Sequence, residues 1–174
     1  MPKPVKSVKL KTELVKADDS GWHFLVVDKK TADKFGFEGK YKRVVCTINK
    51  GKPFYCALMP TRGEFYIIVN KKKRDEAGVE GGDIVNVLLE KDESKYGLPM
   101  PEELAEVMKQ DPAGSKLFHK LTEGRQRSLI YLVTNVKDID RRIHTALTIL
   151  DHLHDNDGKV IGKQLTEELK RPAF

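Results

Sequence analysis

Cysteine and long apolar runs are both scarce in this chain, and each shortage removes a class of protein. Two cysteines in 174 residues, Cys46 and Cys56, cannot form a disulfide framework and fit a reducing compartment. No stretch approaches the roughly 18 apolar residues that span a bilayer, so no membrane insertion is expected. The start, MPKPVKSVKLK, is basic but has no apolar core segment. It does not read as a secretory signal, and the expected location is cytoplasmic. Serine is scarce, and no CxxC pair, phosphate-binding glycine loop, nucleophile–His–acid spacing or paired-carboxylate site is present. The chain therefore offers no catalytic residue and calls for no cofactor, and it reads as a binder rather than an enzyme.

What is present is charge, unevenly placed. Residues 1–97 carry 20 Lys and Arg against 14 Asp and Glu, while residues 98–174 carry 12 of each. The whole excess of +6 lies in the first part, which is where an anionic partner or a nucleic acid is expected to dock.

Patterning also divides the chain near Gly97. Before it, VKSVKLKTELV alternates Val8, Leu10 and Leu14 with Lys9, Lys11 and Glu13, the period of a half-buried strand. Further strands are expected at 22–27, 41–48, 54–59, 64–69 and 84–90, punctuated by NKGKP and PTRG. Six short strands with little helix predict a small barrel or sandwich. After Gly97, LPMPEE suits a linker and a helix start. Leu104, Val107 and Met108 then recur at helical spacing, as do Leu117, Phe118 and Leu121. A stripe of Leu129, Leu132, Val133 and Val136 follows, and a longer one of Ile139, Ile143, Ala146, Leu147, Leu150 and Leu153. About four helices are predicted, with KQLTEELK adding a final turn or two. The expected domains are 1–97 and 98–174.

HFLVVDKKTADKFGFEGK (23–40) lies over FYIIVNKKKRDEAGVEGG (65–82) at a spacing of 42 residues. Identities fall at Val27/Val69, Lys29/Lys71, Lys30/Lys72, Asp33/Asp75, Gly36/Gly78, Glu38/Glu80 and Gly39/Gly81. Each copy reads as a strand, a basic helical turn or two, a glycine turn and another strand. Gly36 and Gly78 stand where a helix ends in a left-handed residue. The implied architecture is a pseudo-two-fold barrel in which neither half folds alone. Such a duplication predicts a monomer or a weak homodimer.

The segment IIVNKKKRDEAGVEGGDIVNVLLE resembles the swapped-hairpin element of the AbrB, MazE and MraZ double-split barrels. TINKGKPFYCALMPTRGEFYIIVNKKKRDEAGVEGGDIV is similar to a single-chain barrel family of unknown function often found beside a YdeI/OmpD-associated helical domain. PEELAEVMKQDPAGSKLFHKLTEGRQRSLIYLVTNVKDIDRRI resembles that helical domain, the "bacteriocin-protection, YdeI or OmpD-associated" domain. It has the Pro-Glu-Glu start, the Leu-Phe pair, the Gly-Arg-Gln-Arg segment and the Arg-Arg-Ile run. Leu-Ile-Tyr-Leu-Val stands where members often carry a Trp. Together the resemblances cover about residues 5–155. They imply an α+β chain: a pseudo-two-fold double-split β-barrel followed by a small helical bundle. The family name implies non-enzymatic binding linked to stress or envelope protection.

The clearest candidate site is KKKR, Lys71, Lys72, Lys73 and Arg74, with Lys29 and Lys30 as its counterpart in the first copy. As phosphate contacts these would make the chain a nucleic-acid-binding regulator. As a solvated helix face they would pair at i,i+4, Lys71 with Asp75, Lys72 with Glu76 and Lys29 with Asp33, and this reading is favoured. A third class, an enzyme with a small-molecule site at the domain junction, is kept as an alternative. His144, His152 and His154, near Asp151, Asp155 and Asp157, read as a helix C-terminus rather than a metal site. LHDNDG lacks the first calcium acid, and Gln164 stands in place of the closing Glu. Cys46 and Cys56 face each other across a hairpin if its tip has three residues about Gly51. A two-residue tip would pair Cys46 with Tyr55, and buried free thiols are the default.

Overall fold

The computed structural model describes residues 3–38 and 42–172. It divides into two units, Met1–Glu93 and Ser94–Phe174.

In the first unit the chain runs β1 (Ser7–Lys16), β2 (His23–Asp28), α1 (Lys29–Asp33), β3 (Arg43–Ile48), β4 (Phe54–Ala57), β5 (Met59–Thr61), β6 (Glu64–Ile68), α2 (Lys71–Ala77) and β7 (Ile84–Lys91). The strands form one antiparallel sheet in the order β4-β3-β7-β1-β2-β6-β5. Strand β1 serves two neighbours, pairing β7 from Ser7 to Glu13 and β2 from Leu14 to Lys16. The outermost strands β4 and β5 are consecutive, with only Leu58 between them, and its N–H bonds the Lys42 carbonyl at 2.8 Å. The two ends of the sheet are thus joined by the chain itself, and the sheet curls into a nearly closed barrel. Alternation then sends Leu14, Leu25, Val27, Val44, Cys46, Ile67, Val85 and Leu89 inside, where none has any exposed surface.

The six strands expected from alternation are present. Tyr41, the expected start of one, and Gly39 of the Gly39/Gly81 identity lie outside the described residues. A seventh strand, β5, occupies the stretch read as a turn. Pro60 sits in it without disturbing the ladder because β5 pairs on one side only, with β6.

Neither expected cysteine geometry occurs. Asn49 and Lys50 adopt left-handed backbone, φ 48° and 61°, and close the hairpin with a Gly51 N–H to Ile48 carbonyl bond of 2.8 Å. The register becomes Cys46 opposite Phe54 and Val44 opposite Cys56, so the two thiols are diagonal neighbours on the inner face. Both are free and buried. A hydrogen bond with the Cys56 thiol, together with burial, pushes the Cys46 thiol far up from its ordinary value.

Among the described residues the second unit has five helices: α3 (Glu102–Gln110), α4 (Pro112–His119), α5 (Glu123–Thr134), α6 (Ile139–Asp155) and α7 (Gly162–Leu169). Asp111, Thr122 and Asp138 cap α4, α5 and α6 by accepting backbone N–H bonds. Ala146, Ile149, Leu150 and Leu153 of α6 pack with Leu104, Phe118, Leu129, Ile130 and Val133. The expected stripes are partly corrected. In the Leu-Ile-Tyr-Leu-Val run the buried face is Leu129, Ile130 and Val133, whereas Leu132 is exposed and Val136 lies beyond the helix. Ile139 and Leu147 of α6 are exposed too.

His152 lies in the last turn of α6, at the expected helix C-terminus. It is buried, with Nδ1 3.1 Å from Glu168 Oε2 and Nε2 accepting the Ile161 N–H at 3.0 Å. The ring thereby ties α7 back onto α6. The turn after α6 uses Asp157 (φ 52°) and Gly158 (φ 80°), and the Gly158 N–H bonds the Leu153 carbonyl at 2.7 Å.

Asp111 links two of these helices. Its carboxylate accepts the Gly114 N–H at 2.8 Å and contacts His154 Nε2 at 2.8 Å. The Gly114 bond, then His154, holds its pKa below the ordinary 3.8. A depressed carboxylate contributes stability above its unfolded pKa and loses it as pH falls through the lower folded value. Asp111→Asn, which keeps the cap, should therefore flatten the stability loss between about pH 5 and about pH 2. Urea melts of both proteins across that range measure it.

Candidate anion-binding surface of the barrel

Both short helices are placed by a residue that ends a strand and caps a helix. Asp28 accepts the Thr31 N–H at 2.6 Å, and Asn70 accepts the Lys73 N–H at 2.9 Å. Helix α2 then stops at Gly78 in left-handed conformation (φ 67°), and Gly36 after α1 is left-handed as well (φ 60°).

The candidate cations on these corners are largely engaged within the barrel. Lys29 pairs with Asp33 at 2.7 Å and Lys71 with Asp75 at 2.9 Å, both in solvent. Lys73 lies over the Phe54 ring, 4.4 Å from its centroid. Arg74 Nη1 donates to the Val69 carbonyl at 2.8 Å. The expected Lys72–Glu76 pair is not formed, and among the described residues the exposed Lys72 on α2 and Lys30 on α1 enter no ion pair.

The corners do not merge. Strands β2 and β6 are antiparallel, with Asp28 opposite Glu64 and Phe24 opposite Ile68. Helices α1 and α2 therefore leave from opposite ends of this ladder, four residues or about 13 Å apart at 3.3 Å per residue.

A different set of cations does converge. On the outer face Lys9 stands opposite Leu88, and Lys11 opposite Asn86. Thr47 meets Leu88 from the other side. Asn49 reaches the same place, because its Oδ1 accepts the Asn86 N–H and its own N–H bonds the Asn86 carbonyl, each at 2.8 Å. With Lys50 and the exposed Ile84 these residues line an open groove of about 840 Å³. The groove holds three lysines and no carboxylate. Glu13 stands opposite Ile84 at one end of the groove, and Glu90, opposite Ser7, lies on the row beyond its other end. The hairpin tip carrying Lys50 is also held against α2, since a Cβ on Gly51 would lie 3.2 Å from the Ala77 Cα.

Sequence reasoning did not find this groove. The alternating Lys9 and Lys11 were its visible signal, but Lys50 and Asn86 join them only through the β1–β7–β3 pairing. Among the described residues no three His, Cys, Asp or Glu side chains form a group that could hold a metal ion, and no helix is long and apolar enough to cross a membrane.

Fold and surface together define an α+β chain with an antiparallel barrel-like unit followed by a helical unit. Residues 11–89 match the family model described as a domain of unknown function (DUF1905). Residues 98–156 match the model described as "Bacteriocin-protection, YdeI or OmpD-Associated". Both domains are present, in that order. No curated protein and no solved structure matches the chain.

The two kinds of polar contact on α2 differ in weight. Asn70→Ala removes a cap and should lower stability by about 1 kcal/mol. Lys71→Ala breaks only an exposed i,i+4 pair and should change it by less than about 0.5 kcal/mol. Chemical denaturation of the two variants distinguishes them.

Proposed function

We propose that this chain is a non-enzymatic binding protein whose barrel holds an anionic partner, and that a nucleic-acid phosphate backbone is the chemistry its surface fits. The observation that carries this reading is the groove with Lys9, Lys11 and Lys50 and no carboxylate in its lining. Asn86 and Thr47 add polar groups beside those cations, and Leu88 and Ile84 give the floor an apolar component. Lys30 and Lys72, with Lys29, Lys71, Lys73 and Arg74 behind them, add positive charge at the corners. The description of the model matched by the second unit points to bacteriocin protection, and a protective role by binding is compatible with this surface. The reading carries a cytoplasmic location, which the free thiols Cys46 and Cys56 support.

If the three lysines neutralise three phosphates of a single strand, the logarithm of affinity should fall with the logarithm of salt at a slope of about −2. Titration of a labelled oligonucleotide at several salt concentrations measures it. Lys9→Glu with Lys11→Glu should weaken binding and flatten the slope. An unchanged slope in that variant rejects the groove. Loss of binding only in Lys30→Glu with Lys72→Glu moves the site to the corners.

The finer architecture we propose is a fused pseudo-dimer with the double-split topology of AbrB and MazE. The pairing supports it strand by strand. β2-α1-β3 and β6-α2-β7 follow one another in the same order, and β2 pairs β6 while β3 pairs β7. Just as β1 divides between β7 and β2, the β4–β5 run divides between β3 and β6. On this reading β3 finds all its partners in the other half, and so does β7. Fragments 1–50 and 51–93, made separately, should each lack a sheet spectrum by circular dichroism and gain one on mixing. A folded isolated fragment would sink the proposal.

A further inference from the structure

Residues 98–174 have no excess of positive charge, yet this part of the chain gathers lysines at one place. Met108 and Lys109 at the end of α3, and Pro112, Ser115, Lys116, His119 and Lys120 on and after α4, line an open pocket of about 540 Å³. No carboxylate lines it, and none of its three lysines enters an ion pair. Three carboxylates of the unit are paired with other groups: Glu103 with Arg142, Asp111 with His154, and Glu167 with Lys170. Nothing within the pocket balances the three ammonium groups.

The wall of the pocket is built rather than loose. His119 Nδ1 lies 2.7 Å from the Ser115 carbonyl oxygen, which can only accept, so Nδ1 carries the hydrogen. In the neutral ring Nε2 then accepts the Tyr96 hydroxyl, 2.8 Å away. The ring is fixed from both sides and stands edge-on to Phe118, which is fully buried. Because Nδ1 is already a donor, the Ser115 hydroxyl 3.3 Å away need not give it a hydrogen. That hydroxyl is free to donate to a ligand. Met108, only 7% exposed, supplies an apolar floor beside these donors.

We propose that this pocket binds a phosphate group, as free phosphate or as a small phosphate monoester. Lys109, Lys116 and Lys120 neutralise the dianion, the Ser115 hydroxyl donates to one oxygen, and Met108 with Pro112 receives the ester carbon. Three cations and a hydroxyl suit a dianion with several acceptor oxygens better than a monovalent carboxylate. His119 is a positioning residue that holds the wall in place. The site is separate from the barrel groove and does not rest on the reading given to it.

The test is amide-shift titration of the full chain with inorganic phosphate, phenyl phosphate and benzoate at low salt. Saturable shifts at Ser115, Lys116 and His119 with either phosphate, weakened by about tenfold or more in Lys116→Glu with Lys120→Glu, support the site. Both lysines are exposed, so that variant should keep its thermal midpoint, and Lys109→Glu gives an independent second variant. Tighter binding of phenyl phosphate identifies an ester as the ligand, and equal binding identifies free phosphate. Shifts that do not saturate, that persist in both variants, or that benzoate reproduces at the same concentration overturn the proposal. Lys9→Glu with Lys11→Glu should leave these shifts unchanged, which separates this site from the barrel groove.

Discussion

Strands β3 and β7 are the central constraint of the barrel, because neither can satisfy its backbone from its sequence neighbourhood alone. β7 takes its hydrogen bonds from β1 and β3, which precede it by some 40 to 80 residues. β3 takes one edge from the following hairpin strand β4 and the other from β7. A buried strand with an unpaired edge would leave N–H and C=O groups without partners, so these long-range ladders must form together. The join of β4 to β5 through Leu58 then brings the two ends of the sheet together, and the edges that would invite aggregation are short.

That pairing also decides what each lysine can do. The corners α1 and α2 exist because the chain must turn after β2 and β6, and their cations serve the turn. A lysine over an aromatic ring or an arginine on a carbonyl is held by the barrel at the place where it sits. Lys9 and Lys11 have a different origin. They are the outward half of an alternating strand whose inward half fills the core, so the hydrophobic pattern that turns Leu10 and Leu14 inward necessarily lines up the lysines on the other face. With Lys50 delivered by a left-handed hairpin tip, the groove is a by-product of how the barrel closes.

The period-2 alternation of Val8, Leu10 and Leu14 made β1 legible, and glycine punctuation placed both helical corners. The β5 strand was not legible, because Pro60 and the Arg62-Gly63 turn carry the marks of a loop and only the pairing with β6 makes a strand of them. The cysteine register failed for a related reason. Two non-glycine residues, Asn49 and Lys50, take positive φ, and no local rule places the tip there rather than one residue later. Burial of His152 depends on Glu168 and Ile161, both beyond a turn, so the residue looked like an ordinary helix-end histidine. In the Leu-Ile-Tyr-Leu-Val run every residue is apolar, and periodicity cannot choose a face where there is no contrast.

Charge shows the same limit more sharply. Dividing the chain into a basic part and a neutral part directs attention to the barrel alone, and it misses the pocket on the second unit. Net charge is the wrong quantity at that scale. Screening confines an exposed charge to about 8 Å at physiological ionic strength, so a ligand senses the groups lining its pocket and little else. None of the carboxylates of this unit lines the pocket, and four of them are held by Arg142, His154, Lys170 and His152. A neutral total therefore leaves room for a strongly positive place, provided the fold sorts carboxylates away from it. In this unit α6 does that sorting, since it supplies Arg142, His152 and His154 as partners for Glu103, Glu168 and Asp111. The exposed flank formed by the end of α3 and by α4 keeps its lysines free.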